Sequence, residues 1–289
     1  MLSLIKAYHV RAVNFNAKNM EMELTVMKLG ASTANLYPMK TEDALDTLLS
    51  LGVKRFEVFL NTESEAEPRF ARELRHHAEH GGAVIRSVHS YTSGYEPYML
   101  FSEYIRRFED ALGHYERIFA AAAEMGASYA VMHGDRLNGI LSVEQSAKRY
   151  ERVCDLGRSH GVTLLQENVV RFRASDLSYI SGLRRLLGEK ANFVFDLKQC
   201  IRCGVRPEEV INAMGKGLRH AHISDYILGN SDATCLLPGK GEADYPALAA
   251  VMSNVGFDGD WIIELYRKNF DTPRQLVDAM KQLEKTLGL

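Results

Sequence analysis

The sequence predicts a single (β/α)8 TIM barrel, on three observations. From Lys28 onward, short apolar runs alternate with longer amphipathic ones, the pattern of a parallel sheet joined by helical crossovers. Eight such pairs follow one another with no Pro/Gly/Ser-rich linker between them, which favours one closed barrel over two small domains. No G-x-G-x-x-G follows the first strand, so a doubly wound open sheet lacks its usual signature. The expected organisation is a barrel over residues 27–289. Residues 1–26, which carry Met20 and Met22 just before the pattern begins, are read as an extension outside it or an over-long gene start.

Taken in order, the expected strands are 28–32, 55–60, 83–90, 128–133, 162–168, 192–197, 219–224 and 261–265. The expected helices are 42–51, 66–80, 99–125, 143–160, 175–187, 207–214, 246–254 and 273–287. Several open on a start signal. Thr41 precedes Glu42-Asp43, Ser142 precedes Glu144, and Pro207 and Pro273 fall in a first turn, where the missing N–H costs nothing. Gly52, Gly81, Gly126, Gly161, Gly188 and Gly256 mark the helix stops.

Composition narrows the function class. The 289 residues are 46% hydrophobic and 25% charged, an ordinary globular balance. A net charge of −2 with no Lys/Arg-rich run removes the electrostatic footprint of a nucleic-acid binder. Four cysteines make no disulfide framework and read as reduced thiols of a cytoplasmic protein. No apolar stretch approaches the roughly 18 residues of a membrane span, and Met1 to Val26 lack a secretory h-region.

Barrel strands turn alternate side chains into the lumen and out to the helices. In the run 192–197, Asn192, Val194 and Asp196 share the lumen face, while Phe193, Phe195 and Leu197 face outward. The same parity puts Leu165 and Glu167, His220 and His222, and Ile262 and Glu264 inward, with Trp261 outward. Each polar group stands at the C-terminal end of its strand, where barrel active sites are built. Three carboxylates converging there would repel one another without a cation among them. Glu167, Asp196, His222 and Glu264 are therefore expected to hold one divalent metal. The oxygen-rich set suits Mn²⁺ or Mg²⁺, with Zn²⁺ or Co²⁺ as alternatives. His89 and His133 end two further strands. They are candidates for binding a substrate hydroxyl, assisting proton transfer or holding a second metal. Glu57, placed near the end of the second strand, is a weaker candidate.

These residues resemble the xylose isomerase-like barrels, a family of sugar epimerases, hydroxypyruvate isomerases and abasic-site endonucleases. The resemblance spans Lys28 to Leu287. It is carried by Leu-Leu-Gln-Glu167-Asn, Phe-Asp196-Leu-Lys-Gln, His220-Ala-His222-Ile-Ser-Asp225 and Ile-Ile-Glu264-Leu, with a Leu237-Pro-Gly-Lys-Gly241 loop after strand seven. It implies that Glu167, Asp196, His222 and Glu264 bind one metal, and that Glu167 and Glu264 pass a proton to and from the substrate. The expected activity is isomerisation or epimerisation of a small ketose or related polyol carbonyl compound through an enediolate. A dehydratase or lyase on the same metal is the alternative.

Two positions depart from the family pattern. Gln199 stands where a histidine is frequent, and no arginine follows His222 closely. Gln199 and Lys240 are kept as candidate substrate contacts with His89, His133 and Glu57, although Lys198, Lys240, Arg171 and Arg173 each read as solvated loop charge. An abasic-site endonuclease would need extra histidines at the Gln199 position and after His222, and none occurs there. A non-catalytic sugar-binding barrel would be expected to have lost a ligand, and all four are present. The Cys200-Ile-Arg-Cys203 pair is read as loop thiols, and Tyr91 and Tyr95 as walls of a sugar pocket. The expected partner is a small carbohydrate, with no nucleic acid and no membrane, and a homo-oligomer stays open.

Overall fold

The computed structural model describes residues 28–230 and 234–288. The predicted N-terminal extension lies outside the described residues. The strands are β1 (Lys28–Ser32), β2 (Arg55–Leu60), β3 (Val84–Ser90), β4 (Tyr129–Met132), β5 (Thr163–Glu167), β6 (Phe193–Asp196), β7 (Leu218–Ile223) and β8 (Asp260–Ile263). They pair in chain order, all parallel, and β8 closes on β1. The helices are α1 (Thr41–Ser50), α2 (Pro68–His80), α3 (Tyr95–Met99), α4 (Ile105–Glu124), α5 (Val143–Ser159), α6 (Leu177–Leu187), α7 (Leu197–Cys203), α8 (Pro207–Met214), α9 (Tyr245–Asn254) and α10 (Arg274–Leu287). This is the predicted TIM barrel.

Closure divides the apolar side chains into two cores by parity. Phe193, Phe195 and Trp261 are fully buried between sheet and helices, each contributing roughly 2–3 kcal/mol of burial. Val131, Leu165 and Val194 form a separate small cluster in the lumen, which floors the polar residues above. At the opposite, N-terminal end, Asp260 is fully buried and shared by Arg55 and Arg86 at 2.5 and 2.9 Å. That ion pair ties β8 to β2 and β3.

Local signals place the ends. Ser142 caps α5 in a reciprocal box with Gln145, using one of the helix's unpaired N–H groups. Thr41 does not cap α1; it is the first helical residue, after Lys40. Two short helices were not anticipated, α3 and α7. The 99–125 prediction therefore starts too early, since α4 begins at Ile105. Cys200 and Cys203 lie in α7, not in a loop.

Candidate metal centre

The donor set begins with β6 and α7. Asp196 ends the strand and caps the helix: its Oδ1 accepts from the Gln199 N–H at 2.8 Å. The other oxygen, Oδ2, is thereby aimed at the lumen. It is buried and accepts no hydrogen bond, with the Lys198 ammonium at 3.0 Å and His222 Nδ1 at 3.7 Å. Asn168 holds the same strand end, donating to the Asp196 carbonyl at 3.0 Å and accepting its N–H at 2.6 Å.

His222 pairs with Asp196 across β6 and β7. Its Nδ1 faces Glu264 Oε2 at 3.1 Å and Glu167 Oε1 at 3.3 Å. Ligand atoms of Glu167, Asp196, His222 and Glu264 all lie within 4.8 Å of one another. Its other nitrogen, Nε2, is 3.1 Å from Glu57 Oε2. An Nε2–H donated to Glu57 leaves the Nδ1 lone pair free for a cation, the usual arrangement behind a metal-bound imidazole. The buried Asp196 oxygen and this tautomer-setting carboxylate show that the residues fit a divalent ion.

Glu57 is the third residue of β2, not a strand-end group, and is fully buried. Its Oε2 also accepts from Ser87 Oγ at 2.8 Å and lies 3.3 Å from His220 Nε2. Enclosed beneath His222, it supports that ring and does not face the mouth. Glu167 links two groups. Its Oε1 belongs to the donor set, while its Oε2 lies 3.3 Å from His89 Nε2 and 3.1 Å from His133 Nε2. These two nitrogens are 3.2 Å apart, and the three residues form a second cluster able to hold a cation.

The charges reinforce one another. Burial opposes protonation of His222, but Glu57 and Glu264 outweigh it and raise its pKa well above the usual histidine range. Burial also opposes a charged His89, yet Glu167 and Glu57 bring it up to about 9. For Glu264, burial would raise the pKa, and Lys198 and His222 pull it down to about 2. Asp196 alone among the three carboxylates is raised, because burial wins over Lys198. A dense anionic cluster is thus balanced by imidazolium and ammonium, which a divalent ion is suited to replace in part.

Two basic residues were misread on the sequence. Lys198 is not a solvated loop cation: it is 4% exposed on α7, and its ammonium is held charged against burial by Asp196 and Glu264. Arg173 is likewise engaged, donating to Ser146 Oγ at 2.8 Å, whereas Arg171 and Lys240 are exposed. Gln199 accepts from the Val170 N–H at 3.2 Å. Tyr91 and Tyr95 pack around His114 of α4. Cys200 donates to the Val205 carbonyl, and neither it nor Cys203 joins a metal-like cluster among the described residues.

Two buried acids were given no role on the sequence. Glu96 receives Thr92 Oγ1, Tyr115 OH and the His133 and Gly134 N–H groups at 2.6–2.9 Å, fixing the loop that carries His133. Asp225 receives the Tyr226, Gly239 and Ala243 N–H groups at 2.8–2.9 Å. It shapes the Pro-Gly-Lys-Gly loop, where a Cβ on Gly241 would sit 2.5 Å from Asp225 Oδ1. A groove of about 1310 Å³ lies at the far end of the barrel, between Arg158, Arg184 and Arg219, away from the carboxylates. A mouth cavity of about 650 Å³ is lined by Arg136, Arg171 and Phe172, and Phe172 meets the His133 ring edge-on at 5.3 Å.

The profile of the xylose isomerase-like TIM barrel family matches residues 45–286. The chain belongs to that family. Among solved xylose isomerase-like barrels, a D-psicose 3-epimerase solved in the presence of D-fructose overlays with a TM-score of 0.75, at 14% identity, over 91% of this chain and all of that one (100%). A 3-keto-D-glucoside 4-epimerase from E. coli overlays with a TM-score of 0.67, at 16% identity, over 90% of this chain and 99% of that one. An uncharacterized protein of Mycobacterium leprae is 25% identical over 272 residues, covering 83% of this chain and 89% of its own. At these structural identities the overlays establish the barrel fold. No helix among the described residues is long and apolar enough to cross a membrane.

Proposed function

We propose that this xylose isomerase-like barrel is a divalent-metal-dependent isomerase or epimerase of a small ketose or related polyol carbonyl compound. The observation that carries the reading is the four-residue donor set, three carboxylates and one imidazole within 4.8 Å, with one glutamate ending β5 and the other directly after β8. Glu167, Asp196, His222 and Glu264 would hold one Mn²⁺ or Mg²⁺, for which such oxygen-rich donors are suited. When bound, the ion supplies Lewis-acid polarisation of a carbonyl and its neighbouring hydroxyl.

The chain's own groups supply the proton chemistry. Glu264 is the most open of the four donors, its side chain 14% exposed. It is suited to take the C–H proton next to the carbonyl. Glu167, flanked by His89 and His133, would return a proton. Return to the same carbon from the other face inverts it; return to the neighbouring carbon exchanges aldose and ketose. His89 and His133 are read as contacts to substrate hydroxyls. The sugar epimerases among the structural neighbours, one solved in the presence of D-fructose, support a carbohydrate substrate. Four free thiols support a reducing, cytoplasmic setting.

Metal analysis of the purified protein, followed by a ketose panel in D₂O with Mn²⁺ added, tests the reading. Deuterium appearing at one carbon without loss of water is the expected result. Loss of water would replace it with a dehydratase, and cleavage of abasic DNA would overturn it.

A further inference from the structure

Lys198 is the second residue of α7, and the cap that Asp196 places on that helix turns it back over the strand ends. Burying an ammonium costs several kcal/mol unless it is paired. Its partners are Asp196 Oδ2 at 3.0 Å and Glu264 Oε2 at 3.1 Å, both members of the donor set. It makes no ion pair with Glu167 among the described residues, so it borders the set on the Asp196–Glu264 side. The Tyr266 ring covers it, with its centroid 5.4 Å from Nζ.

An ammonium carries three N–H donors and no acceptor. One donates to Glu264 at 3.1 Å, a second lies on the side of Asp196 Oδ2 as an ion pair at 3.0 Å, and among the described residues no protein acceptor takes the third. Gln199, the neighbouring polar residue of α7, spends its Oε1 on the Val170 N–H. Glu264, with its side chain 14% exposed, is the most open member of the donor set, and a substrate that meets it comes up to the Lys198 ammonium 3.1 Å away.

We propose that Lys198 is a catalytic residue: its third N–H donates to the substrate oxygen that becomes negative during proton transfer. The inference rests on the isomerase reading above. As Glu264 takes the C–H proton, the C–H electron pair forms the new C=C bond and the carbonyl π pair moves to oxygen. Lys198 keeps its own protons throughout and meets that charge with a charge-assisted hydrogen bond. Such a donor binds an anionic oxygen more strongly than a neutral one, which is the differential that accelerates a reaction.

The test compares wild type with K198M, and with K198Q where K198M does not fold. Calorimetry reads the affinity for Mn²⁺, then for acetohydroxamate (a planar anionic chelator) and for neutral D-threitol on the Mn²⁺-loaded protein. Mn²⁺ and threitol affinities are expected to stay within about tenfold, while acetohydroxamate weakens on the order of a hundredfold. Deuterium exchange into a turned-over ketose should fall by about 10²–10³, and methylammonium should restore part of it in K198A. Equal hydroxamate affinity in the variant overturns the proposal. So does a parallel loss of Mn²⁺, which would make Lys198 a positioning residue for the ligands. A Lys198-dependent hydroxamate affinity in a wild-type protein that exchanges no ketose would uphold the donor and defeat the isomerase reading. Wild type that takes up no Mn²⁺ defeats both.

Discussion

Replacing Glu57 by glutamine isolates the support beneath the candidate metal ligand from the ligand itself. The carboxylate is fully buried and accepts from Ser87 at 2.8 Å and from the His222 Nε2 side at 3.1 Å, with His220 at 3.3 Å. Glutamine keeps the shape and loses the charge. A charge-assisted hydrogen bond contributes about 1.5–3 kcal/mol against about 0.5–1.5 for a neutral one, so the His222 bond alone loses about 1–1.5 kcal/mol. The amide must also turn an NH₂ toward one of its three neighbours. Together these predict a Mn²⁺ affinity about 10–100-fold weaker, the range typical of such outer carboxylates. Titration calorimetry on folded E57Q, with free Mn²⁺ counted by electron paramagnetic resonance, measures it. An affinity within about threefold of wild type would mean that Glu57 does not set the His222 tautomer for metal binding.

Further outcomes follow from the same contacts. Glu264→Gln removes a direct donor and the proposed base; turnover in the D₂O assay should vanish and Mn²⁺ binding should weaken by at least about a hundredfold. D260N leaves the Arg55 and Arg86 cations, each about a quarter exposed, without their shared anion. It should cost about 2–3 kcal/mol in denaturant unfolding. The two arginines prevail over burial and lower the Asp260 pKa. With the folded value below the unfolded one near 3.8, its contribution is complete above about pH 4. It should fade as pH falls through the depressed folded value, and the D260N curve should lack that component. Asp135 runs the other way, because burial lifts it to about 6 despite Arg173. Its folded pKa exceeds the unfolded one, so stability should fall between about pH 4 and 6 and stay lower above. D135N should raise stability at pH 8 by about 1–3 kcal/mol and little at pH 4; no gain at pH 8 would remove the burial penalty assigned to Asp135.

Much of the barrel was legible because its strands obey a period of two over short runs. The parity that turned Val194 and Asp196 inward and Phe195 and Trp261 outward is what the structure holds, and it needs no knowledge of neighbouring strands. α7 escaped notice because its seven residues are shorter than two full turns of helical periodicity. Lys198 was misread for the same reason: without that helix it looks like a loop cation.

Sequence alone determined the fold class, the strand-end positions of Glu167, Asp196, His222 and Glu264, and the inward parity of each. These depend on local alternation and on turn chemistry. Only the tertiary structure decided which of the inward groups touch. Glu57 reaches His222 across 165 residues of chain and Lys198 reaches Glu264 across 66, through barrel closure and the stagger of neighbouring strands. Contacts of that kind are set by how distant strands align, and no pattern along a single strand encodes it.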